Sequence, residues 1–91
     1  MKLSRRTVRA KVAKLRSWTL RGSVISRSFR FRDFASAMRF VNKVARIAEA
    51  ANHHPDIVIN YNKVRLALTT HDEGGLTRKD FKLASEINKL I

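Results

Sequence analysis

The spacing of apolar residues changes period four times in this chain of 91 residues, and that succession leaves few folds open. Val8, Val12 and Leu15 recur at helical spacing behind Ser4, a residue type that caps helix starts. From Trp18 to Phe31 the period drops to two. Ile25, Phe29 and Phe31 share one side, Arg30 and Arg32 share the other, and Gly22-Ser23 supplies the turn of a hairpin. Arg27 has the apolar parity and breaks the alternation once. Helical spacing returns behind Asp33, an N-cap residue, and runs to about Asn52. After Pro55 the alternation resumes through Ile57, Ile59 and Tyr61, then Val64, Leu66 and Leu68, which reads as a second hairpin. Gly74-Gly75 breaks the chain. Thr77 and Asp80 then stand at capping-box spacing, with Leu76 and Phe81 placed as a hydrophobic staple. Ala84, Ile87 and Ile91 are the expected buried face of the last helix.

The order helix-hairpin-helix-hairpin-helix predicts an α+β fold: a four-stranded antiparallel sheet with three helices on one face. At this length, residues 1–91 form a single domain with one small core. There are no cysteines, which excludes disulfides and thiolate metal sites. No apolar run approaches the ~18 residues of a membrane-spanning helix. The long helix is unusual in its width of apolar surface. Phe34, Ala37, Met38, Val41, Ala45 and Ala48 form one face, while Phe40, Val44, Ile47 and Ala51 form another beside it. A surface helix in a monomer needs one buried face, so the helix over 34–51 is expected to meet a second subunit as well as the sheet.

Charge is unevenly placed. The net charge is +13, and fourteen of the twenty Lys and Arg lie in residues 1–46, where Asp33 is the sole acid. Such a segment fits a solvated helix face, an organelle-targeting composition or a phosphate-binding surface. It lacks aromatic interleaving for stacking on bases, so nucleic acid is disfavoured as a partner.

All three histidines lie in the other, charge-balanced half. His53 and His54 stand at the helix-to-strand break, directly before the only proline. Pro55 pushes His54 out of the helical region, so the two imidazoles leave the backbone in different directions. The antiparallel return of the second hairpin brings His71, at its far end, back towards residues 54–57. Glu49 lies one helical turn before His53 and is expected to pair with it. Imidazole exchanges a proton near neutral pH, so neighbouring rings can supply an acid and a base together. A zinc site from Glu49, His53 and His71 competes with that reading, as does a plain polar helix end.

At this point the pattern Glu49-x3-His53-His54-Pro55-x5-Tyr61-x9-His71-x8-Asp80 resembles the signature of the pterin-4a-carbinolamine dehydratases. The likeness extends from Trp18 to the C-terminus. It departs at Asn52, where close relatives often carry an acid, and Glu73 falls at a variable position. The resemblance implies a lyase that dehydrates 4a-hydroxytetrahydrobiopterin to the quinonoid dihydrobiopterin, recycling the cofactor of aromatic amino-acid hydroxylases. It implies no metal and no cofactor, with His53, His54 and His71 as the proton-transfer set. The pterin would be held by Pro55 beside the two histidines, and by Thr70, Asp72 and Glu73 around His71. Glu49 would orient His53, Trp18 would either wall the ring or, as a lone Trp ending a helix more often does, lie in the core, and Tyr61 and Asp80 would be mainly structural. Also implied is a homodimer or homotetramer through the long helix, with transcription-factor dimerisation as an alternative role. The expected compartment is the cytoplasm, with the mitochondrion as the alternative.

Overall fold

The structure is a computed structural model that describes residues Met1–Ile91. Three α-helices and four strands follow the expected order: α1 Arg5–Lys14, β1 Thr19–Arg21, β2 Val24–Arg30, α2 Phe34–Ala51, β3 Asp56–Asn60, β4 Lys63–Leu68 and α3 Arg78–Asn88. A short 3-10 turn, His71–Glu73, lies between β4 and α3. All strand pairs are antiparallel and the spatial order is β1-β2-β4-β3, so β2 and β4 are central and β1 and β3 are edges. No helix is long and apolar enough to cross a membrane.

The strand parities divide the sheet into two surfaces. Ile25 and Phe29 of β2 join Val64, Leu66 and Leu68 of β4 in the core, together with Ala37, Phe40, Val41, Val44 and Ala48 of α2. Phe81, Leu83, Ala84 and Ile87 of α3 complete it, and α1 contributes Val8. Phe40 meets the sheet at Phe29 and Phe31, with ring centroids 4.7 and 5.0 Å away. On the opposite parity Ser28, Arg30, Lys63 and Arg65 are exposed, whereas Ala67 is buried. Arg27 has the inward parity, and the reason is visible in its partners. Its guanidinium lies 4.5 Å from the Phe29 ring centroid and donates to Asn88 Oδ1 at 2.6 Å. Burial, and then the charge of Arg16, lower the Arg27 pKa.

Each helix begins where the sequence places a cap. The Ser4 hydroxyl accepts from Thr7 N, and the Asp33 carboxylate accepts from Ser36 N at 2.8 Å. That bond is the main reason Asp33 titrates below the usual carboxylate range.

Two expected ends differ. Helix α3 stops at Asn88, so Leu90 rather than Ile91 packs against the core, and Ile91 is exposed. The second hairpin ends at Leu68 rather than at His71, because Thr70 pairs its backbone with Gly75 and closes a loop over residues 71–74.

Candidate functional site

The end of α2 sets the site. Asn52 adopts a left-handed conformation, which Asn tolerates well, and the two amides that follow the helix turn back onto it. His53 N donates to Ala48 O at 3.1 Å and Asn52 N to Glu49 O at 3.1 Å, the paired bonds of a Schellman motif. That motif reverses the chain and points His53 inward. Pro55 then keeps His54 extended as β3 begins at Asp56. Adjacent residues thus reach opposite surroundings.

His53 is largely covered, with 12% of its side chain exposed, and its Nε2 lies 2.5 Å from Oδ1 of the fully buried Asp80. The other oxygen of Asp80, Oδ2, accepts from Thr77 N at 2.9 Å and from Thr70 Oγ1 at 2.7 Å. Thr70 and Thr77 hydroxyls are 2.9 Å apart. Since the Thr70 hydrogen goes to Asp80, Thr77 donates to Thr70, and the Thr77 oxygen accepts from Lys79 N at 3.3 Å. Every hydrogen in the chain is then directed. Asp80 accepts at all its contacts when Nε2 of His53 carries the hydrogen, which leaves Nδ1 as the ring's free acceptor. No buried side-chain nitrogen or oxygen lacks a partner.

His54 pairs Nε2 with Glu49 Oε2 in the open, the two side chains being 55% and 77% exposed. Glu49 therefore holds His54, whereas the sequence pattern assigned it to His53. The helix end explains the exchange: the Schellman turn carries His53 away from the Glu49 face and onto Asp80. His71 is exposed at the start of the 3-10 turn, one residue after the buried Thr70 that binds Asp80. Asp72 and Glu73 follow it, both exposed. The Glu73 carboxylate sits 2.8 Å from the Met1 ammonium, whose hydrogen bond and charge lower its pKa. Thr70, Asp72 and Glu73 border a cavity of about 480 Å³ with Thr77, Arg78 and Lys79. None of the three principal cavities is lined by a histidine. Pro55, the next residue in the chain after His54, is half-buried.

Trp18 is placed elsewhere. It is buried in the core, and its indole N–H donates to Asn88 Oδ1 at 2.8 Å. Asn88 lies eight residues beyond Asp80 on α3, about 12 Å along a helix, so the tryptophan packs at the far end from His53. The residue underrated by sequence reasoning is Asp80. Its capping-box spacing was legible, but one carboxylate oxygen closes the cap and the other holds His53. Nor do Glu49, His53 and His71 form a ligand triad, because no three His, Asp or Glu side chains converge as a metal would require.

The arrangement offers one imidazole fixed by buried Asp80, a second held in the open by Glu49, and a third exposed on the 3-10 turn. The family model described as pterin 4 alpha carbinolamine dehydratase matches residues 1–90, which takes in the basic helix α1. A protein of Sulfurisphaera tokodaii is 48% identical over 99% of this chain and 97% of its own length. One from Acidobacterium capsulatum is 52% identical over 98% and 97%. Both carry provisional names as pterin-4-alpha-carbinolamine dehydratases. Among solved structures, a transcriptional coactivator/pterin dehydratase from Brucella melitensis superposes with a TM-score of 0.93 at 35% identity, over 99% of this chain and 98% of that one. A pterin dehydratase-like protein, identified as a RuBisCO assembly factor in the alpha-carboxysome, shares the fold with a TM-score of 0.69 at 22% identity, over 81% and 88%.

Proposed function

The chain belongs to the pterin-4a-carbinolamine dehydratase family, and on that footing we propose that it dehydrates 4a-hydroxytetrahydrobiopterin to the quinonoid dihydrobiopterin. The reaction breaks the C4a–O bond and removes the hydrogen on the adjacent ring nitrogen, N5. Hydroxide leaves poorly, so an acid must protonate the oxygen while a base takes the N5 proton. Water departs, a C=N bond forms, and nothing is oxidised or reduced.

The observation that carries this reading is the His53–Asp80 pair with its directed threonine chain. It fixes one ring with Nδ1 available as an acceptor, which is what a positioned base requires. His54 and His71, both exposed, are the other proton-transfer groups, and Glu49 orients His54. Pro55, Thr70, Asp72 and Glu73 frame the substrate. Stopped-flow measurement of 4a-hydroxytetrahydrobiopterin breakdown, with and without the protein, tests the assignment. Acceleration that survives chelator treatment and is lost in the His54→Ala variant is expected. No acceleration by the native protein refutes it.

A homo-oligomer accompanies this reading. Phe34 of α2 is half-exposed and Met38 and Ile47 are only partly covered, while Ile57, Val58 and Ile59 of edge strand β3 are also open. Apolar surface concentrated on one helix flank and one sheet edge favours contact with another copy. Sedimentation velocity reads this directly. A monomer at micromolar concentration would exclude it.

A further inference from the structure

We infer that the open face of the sheet binds the phosphate backbone of a nucleic-acid duplex without reading its bases. The strand register builds this surface. Arg30 stands directly opposite Lys63, which stands opposite Asn60. In a neighbouring row Ser28 stands opposite Arg65, which stands opposite Val58. Arg21, paired with Val24 next to the first hairpin turn, shares the face at its other end. Lys63 and Arg65 are two residues apart on one strand, about 6.7 Å, and all four cations are exposed.

Like charges directly opposed across a ladder destabilise a sheet, and the Arg30–Lys63 pair has no carboxylate to relieve it. The only Lys or Arg in an ion pair is Arg32, with Asp33. The single acid on this face, Asp56, lies opposite Ala67 beyond Ser26, in a different row. The surface therefore suits a polyanion. Its other properties choose which one. The sequence disfavours nucleic acid because it interleaves no aromatics for stacking on bases, and this face has none either; that removes unpaired strands, but a duplex held through its phosphates needs no stacking. An acidic protein would need buried apolar anchors, and Val24 and Val58 are the only sizeable apolar residues offered. A free phosphate would need a concavity, and none of the three principal cavities includes any of the four cations.

Fluorescence anisotropy with a short labelled DNA duplex of mixed sequence, titrated across salt, tests this. Four phosphate contacts give a slope of log K against log salt of about −3.6. Replacing Arg21, Arg30, Lys63 and Arg65 by Ser is expected to weaken binding by about tenfold or more and to flatten the slope. Replacing Arg5, Arg6, Arg9 and Lys14 of α1 by Gln removes the same charge and should change affinity by less than about threefold. Circular dichroism melts confirm that each variant folds. If the sheet variant does not fold, single Arg30→Ser and Lys63→Ser variants should each reduce the slope by about one. The inference is overturned by equal losses in the sheet and α1 variants, which would mean diffuse charge. It is equally overturned by an absence of duplex binding at low salt, or by displacement of the duplex with anionic vesicles or polyglutamate at matched charge. Because the readout is binding, failure here leaves the dehydratase proposal untouched.

Discussion

His53 and His54 are neighbours in the chain, and each aims Nε2 at a carboxylate, yet the two pairs have almost nothing else in common. His53 meets a carboxylate with no exposed surface, inside a network where each hydrogen has a direction. His54 meets one that is mostly in water. A hydrogen bond to a carboxylate is electrostatically stronger in the poorly solvated pair than in the exposed one, but so is the cost of leaving one partner unpaired. The difference shows that residue type and spacing do not set a histidine's role. The left-handed turn at Asn52 and the restraint of Pro55 do, by sending one ring under α3 and leaving the other outside.

The largest expected consequence is at Asp80. Asp80→Ala removes the acceptor of His53, Thr70 and the α3 capping box together, and should cost several kcal/mol in urea denaturation, at about 1–3 kcal/mol for each buried donor left unpaired, as well as most of the turnover. A melt indistinguishable from the native protein would break the contrast at its root. Next come the exposed rings. His54→Ala and His71→Ala should each slow dehydration by about 10²–10⁴-fold while shifting stability by no more than about 0.5 kcal/mol. Undiminished turnover in both would remove the proton-transfer set; a large loss of stability in His54→Ala would show that the exposed pair is also a structural one.

The same contrast explains what the sequence made legible. Period and caps depend on neighbours along the chain, so the seven main elements, the turn at Gly22-Ser23 and the Thr77/Asp80 cap were all readable. Ile91 was not, and Trp18 was left between core and site, because their surroundings are set by where other elements end. Asn88 fixes both cases: it closes α3, and it takes the Trp18 indole hydrogen bond. Likewise, the motif spacing singled out Glu49, His53, His54, His71 and Asp80, but one-turn spacing on α2 pointed Glu49 at the wrong histidine. A Schellman turn is a backbone event, and only Asn52 hints at it.

Thr70 sharpens the comparison from the buried side. Thr70→Val keeps the side-chain shape, deletes the hydrogen given to Asp80 and leaves the Thr77 hydroxyl without its acceptor. The expected cost is about 1–3 kcal/mol, measured by thermal or urea melts, with a loss of turnover smaller than that of His54→Ala because no proton-transfer ring is removed. A stability unchanged in Thr70→Val would mean that water replaces the hydroxyl, and that the pair around His53 is less enclosed than its contacts indicate.

The smallest effect belongs to Glu49, where the environment predicts tolerance. Glu49→Gln removes the charge but keeps an oxygen that can accept from His54. An exposed side-chain pair of this kind contributes at most about 0–1 kcal/mol, and salt screens any charge it carries. Stability should therefore move by less than about 0.5 kcal/mol, and turnover should fall by less than about tenfold, well under one positioned acid or base. The residual effect should shrink as salt rises. If the Glu49→Gln variant instead loses as much turnover as His54→Ala, the carboxylate takes part in the proton transfer itself. The exposed pair would then be a working dyad, equal in consequence to the buried one and opposite only in how it is held.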